Sequence, residues 1–301
     1  MCTAFSWGEG RYFGRNLDLE YHYREEIVTL GRGYPLLYRH LPPQSTHYAM
    51  IGVATVEKGY PLFYDGMNEH GLCVAGLHFV GNAVYHTLEA GYTNLAPYEL
   101  IPYLLANCKS VEEARVALGA IRLVATPFSE KLPLAELHFL ISDSRGSIVL
   151  EPRKKGLRCY ASPYELLTNN PPYAFHMLNC QQYEGLSARD AEYGFSRGLS
   201  AFGLPGDYSS ASRFVRALFV KRNATVPKEE AHQVGQCFHI LDAVSMVEGC
   251  IRLQKGMPKT VYSVCLDKKR LCYHLVTYEN RTPITVPLLL DVPMTRREIF
   301  S

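Results

Sequence analysis

Cys2–Asp18 reads CTAFSWGEGRYFGRNLD, and the way this stretch folds decides the reading of the whole chain. Two short runs rich in aromatic and small residues, Cys2–Trp7 and Arg11 onward, flank the turn-like Gly8-Glu9-Gly10, which predicts a β-hairpin at the extreme N-terminus. The spacing of Gly8, Gly10 and Gly14 misses the dinucleotide-binding pattern by one place and opens no helical pattern. These glycines therefore read as turn residues, not as a phosphate cradle. Working outward, strand-like runs follow at Ile27–Leu30, Ala49–Val56, Leu62–Tyr64 and Leu72–Phe79, broken by turns at Gly59-Tyr60-Pro61 and Asp65-Gly66. Helical signals begin near Pro97, and Ser110-Val111-Glu112-Glu113 has the form of a capping box ahead of Ala114–Leu118. A second sheet block follows, Glu136–Ile141 and Ser147–Glu151, around the turn Asp143-Ser144-Arg145-Gly146. Helices are predicted at Ser210–Arg222 and from Pro227 to about Leu253. A last hairpin pairs Thr260–Cys265 with Leu271–Tyr278 around the charged turn Asp267-Lys268-Lys269-Arg270. Sheet, helices, sheet, helices, sheet is the signature of an α+β fold, here two mainly antiparallel sheets packed together with helices outside. No repeat or linker interrupts the pattern, so residues 1–301 are expected to form one domain.

Composition narrows the function. Lys and Arg number 31 against 29 Asp and Glu, a net charge of +2, which gives no basic stripe for nucleic acid. Hydrophobic residues at 47% and charged residues at 20% are those of a globular chain rather than a disordered one. Apolar stretches such as Pro283–Asp291 fall short of the roughly 20 residues a membrane span needs. The first residues lack the basic start and apolar run of a secretory signal. Nine cysteines, an odd number without a CxxC pair, are expected to be reduced thiols in a cytoplasm. No phosphate loop, serine nucleophile elbow or zinc-type Cys/His spacing occurs, so no metal and no cofactor are expected. His232 and His239 lie seven apart on a predicted helix, where core or surface placement is the ordinary meaning.

The position of Cys2 carries the chemistry. Met1 before a small residue is expected to be removed, leaving a cysteine whose thiol and free α-amine share one Cα. The amine titrates near neutrality and can act as base toward its own thiol. Gly14-Arg15-Asn16-Leu17-Asp18 falls on the second strand of the hairpin, where two-residue alternation brings side chains beside the first strand. A guanidinium there favours a thiolate, and a carboxylate is placed to orient the amine. The plainer reading of the same residues is a surface Arg/Asp pair.

Together with Cys2-Thr3 and Gly14–Asp18, further blocks occur in order. They are Asn68-Glu69-His70-Gly71-Leu72 with Ala75-Gly76-Leu77, Thr168-Asn169-Asn170-Pro171, and Gly203-Leu204-Pro205-Gly206-Asp207-Tyr208-Ser209-Ser210-Ala211-Ser212-Arg213-Phe214. Over nearly its whole length the chain resembles the choloylglycine hydrolase family, which contains conjugated bile salt hydrolases and penicillin V acylases. The resemblance implies an αββα N-terminal-nucleophile hydrolase fold, with Cys2 as nucleophile and its amine as base. It implies that Arg15 and Asp18 surround Cys2, that the Asn169 amide helps form the oxyanion hole, and that Arg213 is the active-site arginine. It implies a homo-oligomer, commonly a tetramer, and a small-molecule substrate.

One position departs from the family pattern. The oxyanion-hole residue, commonly Asn in bile salt hydrolases and Tyr in penicillin V acylases, is His78 here; its backbone N–H is the expected donor. The blocks around it favour the bile salt branch, with penicillin V or another N-acyl compound as the alternative substrate. A glutamine amidotransferase domain also begins with cysteine, but Thr3-Ala4 and the later blocks argue against it. A degenerate binding protein is disfavoured because Cys2, Arg15, Asp18, Asn169 and Arg213 are all present. Leu19, Tyr21, Tyr60, Phe63, Phe128 and Leu134 are the expected substrate-binding residues, drawn from apolar segments able to wall a steroid pocket.

Overall fold

A computed structural model describes residues 1–190, 197–254 and 256–300. The N-terminal hairpin forms as expected, Cys2–Trp7 pairing antiparallel with Tyr12–Leu19. Gly8, Glu9 and Gly10 all take positive φ in its turn. A Cβ on Gly10 would lie 2.5 Å from the Ser144 carbonyl oxygen, so only glycine fits there.

The hairpin sits inside a six-stranded sheet with the order Leu166–Leu167, Cys2–Trp7, Tyr12–Leu19, Lys259–Asp267, Cys272–Thr277, Ile284–Pro287. A nine-stranded sheet runs Gly156–Ala161, Ser147–Arg153, Leu137–Ser142, Cys73–His78, Asp65–Asn68, Met50–Glu57, Glu26–Leu30, Thr295–Glu298, with Tyr60–Phe63 attached to Met50–Glu57. The pairings within both sheets are antiparallel. Side chains from the two sheets, among them Phe5, Leu17, Ile51, Met67, Leu77 and Val264, share one buried cluster. Helices Ser210–Asn223 and Glu230–Asp242 pack on the six-stranded sheet, and Leu100–Asn107 packs on the nine-stranded one. Leu100, Leu104 and Leu105 are wholly buried there, each contributing about 1.5–3 kcal/mol. The layer order is helix, sheet, sheet, helix.

Local chemistry explains where the structure departs from the sequence reading. Asp65-Gly66, expected as a turn, begins the strand Asp65–Asn68, because the polar Asp65 finds three donors in the core. Tyr60-Pro61 also lies in a strand; proline is tolerated because that strand pairs on one side only. The helix expected from Pro227 to about Leu253 spans Glu230–Asp242. It ends where the chain turns back to bond Met246 to Thr260, backbone N to Oγ1 at 2.7 Å and Thr260 N to the Met246 carbonyl at 3.0 Å. A helix at Tyr173–Gln181 had no clear sequence signal. Ser110 caps Val111–Leu118 by accepting from Glu113 N, but the Glu113 carboxylate reaches Lys109 N rather than closing the reciprocal box. In the charged turn, Lys268 is buried, its Nζ donating to Ser6 Oγ, Ser142 Oγ and the Asp143 carbonyl.

His138, wholly buried in the nine-stranded sheet, stacks on Phe79 and holds the Thr168 carbonyl through Nε2 at 2.9 Å. Burial pushes its imidazole down from 6.5 to about 3, despite the bond to Thr168. The unfolded imidazole therefore takes up a proton that the folded one refuses. Its stabilising contribution is complete above about pH 6.5 and is lost as the pH falls below that. Relative to wild type, His138→Gln should reduce the loss of unfolding free energy between pH 7 and pH 5 by about 2 kcal/mol. Urea titrations at the two pH values check this, and an identical pH dependence in wild type and variant would contradict it.

Candidate active site

The hairpin register sets Cys2 opposite Leu17 and Ala4 opposite Arg15, so Arg15 is the diagonal neighbour of Cys2 on one face. Arg15 Nη2 lies 3.8 Å from Cys2 Sγ and donates to the Gly76 carbonyl at 3.0 Å. By the same alternation Thr3 and Asp18 project from the other face, toward the Ser210–Asn223 helix. There Arg213 Nη1 donates to Thr3 Oγ1 at 2.8 Å and to the Cys2 carbonyl at 2.6 Å. Arg213 Nη2 and the Cys2 nitrogen both donate to Asn169 Oδ1, at 2.8 and 2.6 Å. Asp18 Oδ1 accepts from Thr260 Oγ1 at 2.6 Å, while its Oδ2 is buried with no partner among the described residues. Burial raises the Asp18 carboxyl, opposed by Arg213, the terminal amine, Thr260 and Arg15. Cys2 thus has Arg15 on one face of the hairpin and Asn169 and Arg213 on the other, the face from which Asp18 also projects.

Arg15 is 1% exposed, and a buried guanidinium needs compensation. Burial pulls its pKa down, but Tyr262, Asp65, Cys2 and Tyr273 outweigh that and raise it. Asp65 reaches it from the facing sheet: Oδ2 accepts from Arg15 Nη1 at 2.8 Å and from Tyr262 OH at 2.7 Å, and Oδ1 accepts from Tyr273 OH. Sequence reasoning missed this carboxylate because Asp-Gly is the commonest of turn signals.

The Asn169 amide is oriented on every side. Besides the two donors on Oδ1, its Nδ2 donates to the His78 carbonyl at 2.9 Å, its backbone N to Ser210 Oγ at 2.8 Å, and its carbonyl accepts from His176 Nε2 at 2.9 Å. Along Cys73–His78, Gly76 N donates to the Tyr64 carbonyl and Phe79 N to the Glu136 carbonyl. Ladder alternation points the His78 N–H the same way as that of Gly76, past the last pairing with Asp65 and into a cavity. The His78 imidazole makes no hydrogen bond among the described residues. Burial, with the terminal amine and Arg15 adding to it, pushes it down to about 4, so it is neutral at pH 7.

That cavity, of about 380 Å³, opens on Cys2, Arg15 and His78. Of the six residues expected to bind substrate, Leu19, Phe63, Phe128 and Leu134 line it, together with Tyr23, Tyr64, Tyr98, Leu132 and others not singled out from sequence. Tyr21 does not line it: the strand ends at Leu19, and Tyr21 lies 57% exposed against Tyr23. Tyr60 is also excluded, since it packs behind Tyr98 and Phe128 and faces neighbouring recesses. His232 and His239 are exposed on their helix, and no group of three or more His, Cys, Asp or Glu among the described residues could hold a metal.

Asp65 touches no part of the cavity, yet it fixes the group that faces the thiol. Asp65→Asn should cost about 3–5 kcal/mol of stability by leaving Arg15 buried without its counter-charge. It should also lower kcat at least about tenfold while leaving KM within about twofold. Steady-state kinetics beside urea unfolding check both, and an unchanged kcat would show that Arg15 keeps its place without Asp65.

The choloylglycine hydrolase family of linear amide C–N hydrolases matches residues 2–292. The chain is 42% identical to a bile salt hydrolase/transferase of Lactiplantibacillus plantarum, covering 93% of this chain and 90% of that protein. It is 35% identical to a bile salt hydrolase/transferase of Clostridium perfringens, with the same coverages, 93% and 90%. Its structure resembles that of a variant of the Clostridium perfringens conjugated bile acid hydrolase, with a TM-score of 0.91 and 32% identity over 100% of this chain and 97% of that one. Penicillin V acylase from Agrobacterium tumefaciens has the same fold, with a TM-score of 0.81 at 20% identity over 98% and 90% of the two chains. With its two stacked antiparallel sheets, its N-terminal cysteine hairpin and these matches, the chain belongs to the choloylglycine hydrolase family of N-terminal-nucleophile amide hydrolases.

Proposed function

We propose that this protein cleaves the amide joining a bile acid to glycine or taurine, with Cys2 as nucleophile. The observation that carries the reading is the cavity of about 380 Å³, walled mainly by apolar side chains and opening directly on Cys2 and Arg15. Such a wall suits a broad, rigid, weakly polar acyl group, and the relatives named for bile salts add to it.

The residues divide the work as follows. With Met1 removed, the free Cys2 amine takes the thiol proton and the thiolate attacks the amide carbonyl. The negative oxygen is met by the His78 N–H and by the second hydrogen of Asn169 Nδ2, the first being held by the His78 carbonyl. The ammonium returns its proton to the leaving nitrogen, glycine or taurine departs, and a thioester remains. Water then gives a proton to the same amine and attacks the thioester; the bile acid leaves and the thiol regains its proton. An amine replacing water would form a new amide by the same steps, in line with the transferase part of the relatives' names. The unpartnered Asp18 Oδ2 supports a role for Asp18 in holding the ammonium, and Arg213 orients Asn169.

This mechanism needs Met1 gone. While Met1 is attached, the Cys2 nitrogen is an amide and accepts no proton, and Met1 extends the ladder, its carbonyl accepting from Asp18 N at 2.8 Å. A cytoplasmic setting and a homotetramer belong to the same proposal. Nine free cysteines favour the first, and the family resemblance alone supports the second.

Glycocholate and taurocholate should be hydrolysed with a higher kcat/KM than penicillin V, and Cys2→Ala should turn over none of them while retaining the wild-type melting temperature. A panel of the three substrates at equal enzyme concentration checks this. Penicillin V as the preferred substrate would move the protein to the acylase branch.

A further inference from the structure

Tyr98 and Phe128 line the cavity that opens on Cys2, and neither is held by a sheet. Tyr98 lies in a single 3-10 turn, Pro97–Glu99, and Phe128 in the irregular chain between residues 125 and 136. Their rings meet edge to face at 5.3 Å. A second void of about 250 Å³ lies behind them, bounded by Leu37, Tyr38 and Glu99 among others. The two rings are therefore a partition with space on both sides, backed only in part by the Tyr60 ring at 5.7 and 5.6 Å from them.

Arg39 ties this partition upright from the far side. Its Nε donates to Tyr98 OH at 2.9 Å, and its Nη2 donates to the Phe128 carbonyl at 2.6 Å. The guanidinium also lies 5.7 Å from the Phe128 ring centroid, and the Arg39 backbone N–H donates to Glu99 Oε1 at 2.7 Å. The next residue repeats the tie, His40 Nε2 bonding Thr126 Oγ1 at 2.8 Å. Paired backbone bonds between Leu36 and Gln44, both 2.9 Å, anchor the segment that carries them. An exposed arginine normally adds little, but here one fork joins two chain segments beyond the point where the strands that lead into them, Thr93–Leu95 and Ile121–Leu123, stop pairing.

We infer that Arg39 is a positioning residue for acyl-group selection, holding Tyr98 and Phe128 as a fixed wall without touching substrate. The inference rests on the bile salt reading, because a broad rigid acyl group fills the cavity and needs the wall in place before it binds. Without the fork, ordering both rings is charged to binding instead of folding. The reacting groups are untouched, so KM should change and kcat should not.

The test uses the full chain as wild type, Arg39→Ala and Arg39→Lys, with glycocholate and N-hexanoylglycine as substrates; active sites are counted by alkylation with iodoacetamide, read at the Cys2 peptide by mass so that Cys250 and the other free thiols do not enter. Arg39→Ala should raise KM for glycocholate about tenfold with kcat per titrated site within about twofold. Its kcat/KM for the short, flexible hexanoyl group should stay at the wild-type value. Arg39→Lys, able to keep one of the two bonds, should fall between. An unchanged glycocholate KM in Arg39→Ala, or an equal loss on both substrates, would overturn the inference while wild-type cleavage of glycocholate leaves the bile salt reading standing. A wild-type enzyme that cleaves N-hexanoylglycine but not glycocholate would overturn that reading and this inference with it.

Discussion

The site depends on one costly arrangement, a guanidinium buried between two sheets beside a thiol. Moving such a cation out of water costs several kcal/mol even after relaxation, and Arg15 is 1% exposed. Asp65, Tyr262 and Tyr273 make it tolerable by surrounding Nη1 and one another with hydrogen bonds. Gly76 and Cys2 take the other end. The chain cannot relocate Arg15 without stranding a carboxylate and two phenols in the core. The guanidinium that faces the thiol is thereby also a folding requirement, and the same network fastens the six-stranded sheet to the nine-stranded one.

The second cation, Arg213, works on the opposite face of the hairpin and serves geometry more than charge. It bonds the Cys2 carbonyl, Thr3 and Asn169 at once, so the first strand, the 168–169 corner and the Ser210–Asn223 helix are set in one frame. His138 and His176 complete that frame by donating to the Thr168 and Asn169 carbonyls. Burial lowers both imidazoles, and they act as fixed neutral donors rather than as acids or bases. In the proposed mechanism the proton chemistry falls to the α-amine of Cys2.

Much of this was legible in the sequence, for definite reasons. The hairpin was readable because its turn demands positive φ at Gly8 and Gly10, and alternation then placed Arg15 beside Cys2. Asn169 and Arg213 were legible only through resemblance to a family, since nothing local marks a turn asparagine or a helix arginine as a neighbour of Cys2. Asp65 was hidden because an aspartate before glycine signals a turn in any context that lacks three buried donors, and those donors come from residues 15, 262 and 273. Tyr21 lies off the cavity because the strand that would aim it ends at Leu19, and Tyr60, although in a strand, because Tyr98 and Phe128 stand between it and the cavity. Tyr98 was overlooked because the Pro97 helix signal masked its role as a wall. Local rules gave elements and faces; what they could not give was which distant residues meet.

A single residue that supplies both nucleophile and base requires the Cys2 nitrogen to be a free amine. The most direct test attaches an N-terminal extension that cannot be removed, confirms it by intact-protein mass, and assays glycocholate hydrolysis against the chain that begins at Cys2. The extended protein should keep the same melting temperature and show no turnover, with full activity on trimming back to Cys2. Full activity in a chain shown by mass to carry the extension would contradict it and require another base, with His78, the neutral imidazole lining the cavity, the first to examine.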